Sequence, residues 1–94
     1  MVVTFKFVGA FRSLAEKEKQ TLHIGKTISL QEALRKIVEK EKRLKRALID
    51  PELEDPRPNA LIIVNGKEIS VLNGLDTVLA DGDEVVLIPV IHGG

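Results

Sequence analysis

No segment constrains the fold more than residues 29–48. Ser29 is followed three residues later by Glu32, a pair whose hydroxyl and carboxylate satisfy free amides at a helix start. Leu30, Ala33, Leu34, Ile37, Val38, Leu44 and Leu48 then recur as an apolar stripe, while Arg35, Lys36, Glu39, Lys40, Lys42, Arg43, Lys45 and Arg46 occupy the remaining positions. The spacing predicts one principal helix with a single apolar side. Such a helix is stable in water only when that side lies on another layer, so the flanking segments must supply one.

Both flanks carry strand patterns. Residues 2–8 alternate, with Val3, Phe5 and Phe7 on one face and Val2, Thr4, Lys6 and Val8 on the other. Residues 10–19 predict one or two helical turns, with Phe11, Leu14 and Ala15 at helical spacing and solvated charges at 16–19. Residues 20–24 alternate again with Leu22 and Ile24 inward, which predicts a hairpin return of the first strand. Beyond the helix, Pro51, Pro56 and Pro58 mark 50–59 as an acidic surface loop, expected to be mobile. Residues 60–64 are a continuous aliphatic run, Asn65-Gly66 predicts a type I′ turn, and 67–71 reads as the partner strand. Turn residues at Asn73-Gly74 and Asp81-Gly82-Asp83 precede a last strand at 84–90.

Two strands, a long helix and three strands predict an α+β fold in which one main helix covers one face of a small mixed sheet. Placing the two terminal strands side by side at its centre gives the β-grasp architecture. With 94 residues the chain has room for one such domain, expected to span 1–94 with a flexible Gly-Gly tail at about 91–94.

Composition narrows the function. Fourteen basic and fourteen acidic side chains cancel, so no whole-molecule attraction to phosphate exists and no direct nucleic-acid partner is expected. The chain has no cysteine, which excludes a disulfide framework, a cysteine zinc site and a thiol nucleophile of its own. No early apolar run has the length of a signal peptide or membrane span, so a cytoplasmic location and no membrane partner are expected.

Other candidate sites have simpler readings. His23 and His92 lie far apart without ligand-like spacing, and no metal or bound cofactor is expected. The basic cluster Lys40 to Arg46 is interrupted by Glu39 and Glu41 and lacks stacking aromatics, so it reads as a solvated helix face. Asp81 and Asp83 flank a turn glycine and read as turn residues, and no nucleophile, base and oxyanion set appears. The chain is not expected to be an enzyme.

Two features do suggest function. If Val85 and Leu87 face the helix, then Val86, Ile88 and Val90 point the opposite way, and Val2 and Val8 contribute to the same outer face. One helix cannot cover both sides, so the chain exposes an apolar patch of the kind that binds partners, unless the 50–59 loop folds over it. The second feature is the ending His92-Gly93-Gly94, which follows directly from that strand. Two residues without side chains allow a terminal carboxylate to thread a narrow channel into another protein's active site.

The segment from Leu75-Asp76-Thr77 through Asp81-Gly82-Asp83 to Gly93-Gly94 resembles the end of the ubiquitin-like sulfur carriers. This family includes the molybdopterin synthase small subunit, the thiamin-pathway sulfur carrier and the ubiquitin-related modifiers. Val64-Asn65-Gly66-Lys67-Glu68 and the opening Phe5 to Leu14 fit the same pattern, so the resemblance spans nearly the whole chain. Molybdopterin synthase small subunits usually carry two prolines and a small residue before the glycine pair, whereas this chain reads Pro89-Val90-Ile91-His92. The His-Gly-Gly ending and Leu72-Asn73-Gly74-Leu75-Asp76 resemble the ubiquitin-related modifier instead.

The resemblance implies that an E1-like enzyme adenylates the Gly94 carboxylate with ATP and that a sulfurtransferase converts it to a thiocarboxylate. Sulfur would pass to a cofactor precursor or transfer RNA, or the activated acyl group would form an isopeptide bond with a target-protein lysine. It also implies that Val8, Leu72 and Ile88 meet the activating enzyme or a molybdopterin synthase large subunit. Gly94 would be the reacting residue, Gly93 and His92 its tail, and Val8, Leu72, Val86, Ile88 and Val90 the partner-binding set. The alternatives are a molybdopterin synthase small subunit in molybdenum cofactor biosynthesis and a noncatalytic binding domain that uses its apolar face.

Overall fold

Residues 1–91 are described in the computed structural model. In chain order they form β1 (Val2–Phe7), α1 (Ala10–Ala15), β2 (Lys19–His23), β3 (Ile28–Ser29), α2 (Leu30–Val38), α3 (Lys42–Leu48), β4 (Ala60–Val64), β5 (Lys67–Glu68), β6 (Val78–Leu79) and β7 (Glu84–Pro89). Short 3-10 turns at Ile69–Val71 and Gly74–Asp76 join β5 to β6.

Five strands make one sheet in the order β2-β1-β7-β4-β5, and β3 pairs with β6 in a separate two-stranded ribbon. The first and last large strands lie parallel at the centre, with Phe5 opposite Val85 and Phe7 opposite Leu87. A parallel pair requires a long crossover, here supplied by everything between β1 and β7. The helices cover the inner face, where Val3, Phe5, Phe7, Ile62, Val85 and Leu87 are buried against Leu34, Ile37, Leu44 and Leu48.

The helix start is as the sequence dictates. Ser29 Oγ accepts the Glu32 amide at 3.1 Å, and Leu30, Ala33, Leu34, Ile37 and Val38 are buried along α2. The predicted single helix does not continue to residue 48. It ends at Val38 and α3 starts afresh at Lys42, with Glu41 between them at φ −118° and ψ 73°. The stripe itself supplies the reason. In an unbroken helix, position 41 falls between Ile37 and Leu44 on the buried side, and an isolated buried carboxylate is costly. Breaking the helix leaves Glu41 half-buried, 3.1 Å from Lys17 Nζ.

Two other segments differ from their expected form. The 50–59 loop is built rather than loose: Asp50 Oδ1 accepts the Glu52 and Leu53 amides, both at 2.9 Å. Asp55 bridges back to Asp50, and its carboxylate accepts the Arg57 amide and the Arg57 Nε. The expected strand at 67–71 stops after Glu68. The Glu68 carboxylate accepts the Ser70 amide at 2.6 Å, which starts a 3-10 turn. That turn buries Ile69 in the core.

The turns of the sheet lock together. Asn65 and Gly66 have φ of 50° and 83°, as a type I′ hairpin demands. Asn65 Nδ2 donates to Asp83 Oδ1 at 2.9 Å, and Asn65 Oδ1 accepts the Glu84 amide at 2.9 Å. Asp81 Oδ1 accepts the Val2 amide at 2.8 Å, and Asp83 Oδ2 accepts the Ala80 amide at 2.8 Å. The Asp-Gly-Asp turn is therefore a fastener that sets β7 in register beside β1. Each of its two carboxylates accepts a backbone amide, as turn residues do.

The outer face and the chain terminus

Strand register decides which residues share the outer face. Opposite residues in paired strands point the same way, so Ile63 and Val86 lie together, as do Leu61 and Ile88. Val86 is in turn opposite Lys6 of β1. One half of the face, on β4 and β7, is therefore aliphatic. The other half, on β1 and β2, carries Lys6 opposite Lys19, Thr4 opposite Thr21 and Val2 opposite His23. Glu84 reaches across to Lys6 at 3.2 Å.

No described element covers the aliphatic half. Val8 is 41% exposed, Leu61 40% and Val90 42%, whereas Val85 and Leu87 on the other side of the same strand are fully buried. Val86, Ile63 and Ile88 are half-buried by their neighbours in the sheet. The 50–59 loop does not fold over this face. Glu54 and Pro56 instead line a groove of about 470 Å³ on the helical side, together with Leu34, Val38, Ile49 and Leu75.

The path out of β7 is defined by backbone geometry. Val90 donates its amide to the Asn59 carbonyl at 2.9 Å. By alternation the Pro89 nitrogen points toward β1, where a missing donor would break a ladder bond. It breaks none, because β1 has already turned away: Val8 donates to the Leu87 carbonyl at 3.2 Å, and Gly9 follows at φ 57°. That positive φ is what calls for glycine here, since a Cβ at Gly9 would meet Pro89 Cγ at 3.4 Å, an ordinary contact. Ile91 emerges 92% exposed. The aliphatic row of Val86, Ile88 and Val90 thus runs to Ile91, the last described residue.

Of the residues named from sequence, the structure brings Val86 and Ile88 into one row, with Val90 next on the same strand's alternation and Val8 just past the end of β1. Leu72 is set apart. It follows the 3-10 turn after β5 and packs half-buried against the core. His92, Gly93 and Gly94 lie outside the described residues. Leu61 and Ile63 belong to the row but are not singled out by the sequence reading. The available signal is that residues 60–64 are apolar at every position, which marks a strand with two apolar faces.

Little in this region is chemically unusual. Ser70, through its side chain and then its amide, holds the Glu68 carboxyl below the ordinary glutamate range. Among the described residues, no group of three His, Asp or Glu side chains is arranged to hold a metal, and no described helix is long and apolar enough to cross a membrane.

Comparison with known proteins agrees with this geometry. The chain matches the ThiS family over residues 5–94. It belongs to that family. It is 26% identical over 94 residues to small archaeal modifier protein 3 of Haloferax volcanii, covering the whole of both chains. It is also similar to the solution structure of Urm1 from Trypanosoma brucei, with 29% identity, 99% of this chain and 95% of that one covered, and a TM-score of 0.82. A third likeness is to the complex of subunits 1 and 2 of molybdopterin-converting factor from Helicobacter pylori. There the identity is 26%, both chains are covered in full, and the TM-score is 0.63. The fold is ubiquitin-like β-grasp. The ThiS family chain stands among ubiquitin-like sulfur carriers and protein modifiers, which are substrates of partner enzymes rather than catalysts.

Proposed function

We propose that this protein carries an activated acyl group or a sulfur atom on the Gly94 carboxylate. An E1-like enzyme forms the acyl adenylate from ATP, and a sulfurtransferase converts it to a thiocarboxylate. The carrier then gives sulfur to a small acceptor or forms an isopeptide bond with a lysine of a target protein. A carboxylate is a poor electrophile until its oxygen becomes a good leaving group, so the partner must supply the activation. Without a cysteine, the carrier attaches sulfur only at its terminus.

The observation that carries this reading is the continuity of the aliphatic outer row with the chain terminus. Docking of Leu61, Ile63, Val86, Ile88 and Val90 on a partner buries the exposed apolar surface and delivers the terminus in one event. Without a side chain, Gly93 would leave the approach to Gly94 open. The likeness to a subunit of the molybdopterin-converting factor complex supports a second reading, a small subunit that hands sulfur to a dithiolene precursor on a large subunit. The sequence before the glycine pair favours the modifier reading.

The test is intact-mass measurement after incubation with ATP, the E1-like enzyme of the same organism and a sulfur donor. Replacement of one terminal oxygen by sulfur is expected, and loss of the reaction on deleting Gly93 and Gly94. An unreactive terminus, with cellular function unchanged by the deletion, would leave only a binding domain that works through its apolar face. Gly94 found joined to lysines of other proteins selects the modifier; dithiolene formation with a large subunit selects the second reading.

A further inference from the structure

Within a net charge of zero, one short helix gathers four exposed cations. Lys40, Lys42, Arg43, Lys45 and Arg46 are all exposed, and the glutamate that interrupts them in sequence, Glu41, is drawn off by Lys17. Half of the fourteen acidic residues lie in two other segments, Asp50 to Asp55 and Asp81 to Glu84, and Glu39 at the end of α2 flanks the basic run. Within α3, Leu44 and Leu48 face the core and the four cations fill the solvent side.

This placement works against the helix that carries it. Lys42 with Lys45, Lys42 with Arg46, and Arg43 with Arg46 are like-charge pairs at three- or four-residue spacing, which repel. Lys42 and Arg43 stand in the first turn, where the helix dipole favours acids, and no acidic residue is there. Lys45 borders the helical-side groove together with Glu39 and Glu54. Lys42, Arg43 and Arg46 make no ion pair among the described residues.

The cluster is also tied to the working end of the molecule. Asn59 Nδ2 donates to the carbonyl of Leu48, the last residue of α3, at 3.3 Å, and the Asn59 carbonyl accepts the Val90 amide. One residue therefore joins the end of α3 to the root of the C-terminus. The helices lie on the sheet face opposite the aliphatic row, so a partner docked on that row leaves α3 open.

We propose that α3 is a docking surface for the phosphate backbone of a nucleic acid, through Lys42, Arg43 and Arg46. Exposed lysines and arginines with no apolar residue among them suit phosphate contacts, which need charge alone. A protein partner fits less well, because protein interfaces have apolar centres and the exposed residues of α3 are all cations. All three phenylalanines are buried, so no base stacks on the surface and sequence is not read.

The inference does not depend on activation of Gly94, and its test uses the unmodified chain. Binding of unfractionated transfer RNA and of a short DNA duplex is measured as salt is raised, for the native chain and for the triple variant Lys42→Glu, Arg43→Glu, Arg46→Glu. For three phosphate contacts, the slope of log affinity against log salt is expected to be about −2 to −3, and the variant should bind at least ~10-fold more weakly at low salt. Glutamates at 42 and 43 suit the dipole and the one at 46, in the last turn, opposes it, so the variant should melt close to the native chain, which separates lost binding from lost folding. Equal affinity for RNA and DNA indicates backbone contact alone, and stronger binding of transfer RNA identifies folded RNA as the source. No salt-dependent binding by the native chain overturns the proposal, as does a variant that binds RNA normally. A variant that binds RNA normally but loses the E1-like enzyme assigns α3 to an acidic protein surface instead.

Discussion

The two faces of the sheet are built from the same kinds of residue and meet different fates. Val85 and Leu87 are fully buried beneath the helices, while Val86 and Ile88, their immediate neighbours in sequence, stay partly open on the other side. Leu61 and Ile62 repeat the contrast one strand away. Hydrophobicity does not decide which face becomes the core; the layer laid against it does. A sheet with only one covered face keeps a second apolar surface open, and in this chain that surface runs along the last strand.

The largest effect that would break this contrast is on stability. Phe5→Ala on the inner face should cost about 3–5 kcal/mol and Leu87→Ala about 2–5 kcal/mol, because each leaves a cavity under the helices. Ile88→Ala on the outer face should cost clearly less, since its surroundings are partly solvent. Urea denaturation of the variants compares them directly, and equal losses at Leu87 and Ile88 would mean that both faces are structural.

Next comes the effect on partner binding. Ile88→Glu should leave the fold intact and reduce adenylation by the E1-like enzyme at least ~10-fold, since a charge is brought into the apolar contact. The same substitution at Val71, which is exposed but lies outside the row, should change adenylation little. Kinetics of pyrophosphate release separates the two. A comparable loss at Val71 would show that general surface apolarity, rather than the outer row, sets recognition.

A smaller effect sharpens the account of the covering layer. Ser29→Ala removes the acceptor for the Glu32 amide and should cost about 1 kcal/mol. Thermal melting checks it, and adenylation per folded molecule should stay unchanged, because the cap supports the inner side alone.

The smallest effect lies in the 50–59 loop. Hydrogen bonding from the Arg57 side chain holds Asp55 below the ordinary aspartate range, against an opposing push from burial and with help from the Arg57 amide and charge. A depressed folded-state value means that the contribution is complete above the unfolded value of about 4 and is lost as pH falls through the lower, folded one. Asp55→Asn should therefore lower stability slightly at neutral pH and flatten its decline in acid, as read from melting temperatures across that range.

Much of this architecture was legible from alternation and spacing. Val3, Phe5 and Phe7 declare the inner face of β1, Ser29 and Glu32 mark the start of α2, and Asn65-Gly66 specifies its hairpin. The helix break was harder to see, because the stripe from Ile37 to Leu44 stays in helical phase and only Glu41 on the buried side signals a stop. Residues 67–71 mislead because alternation cannot foresee that Glu68 will bond the Ser70 amide and turn Ile69 into the core. Leu61 and Ile63 were missed for a related reason: an unbroken aliphatic run does not say which residues face the helices. That information lies in the pairing of β4 with β7, which joins residues far apart in sequence.

Every member of the proposed docking row carries methyl groups, so one titration addresses the central claim. Methyl-labelled protein is followed by NMR as the E1-like enzyme is added. Shifts or broadening at Leu61, Ile63, Val86, Ile88 and Val90, with Leu34, Ile37 and Leu44 unchanged, are the predicted result. Perturbation confined to the helical side, with the outer row silent, would contradict it.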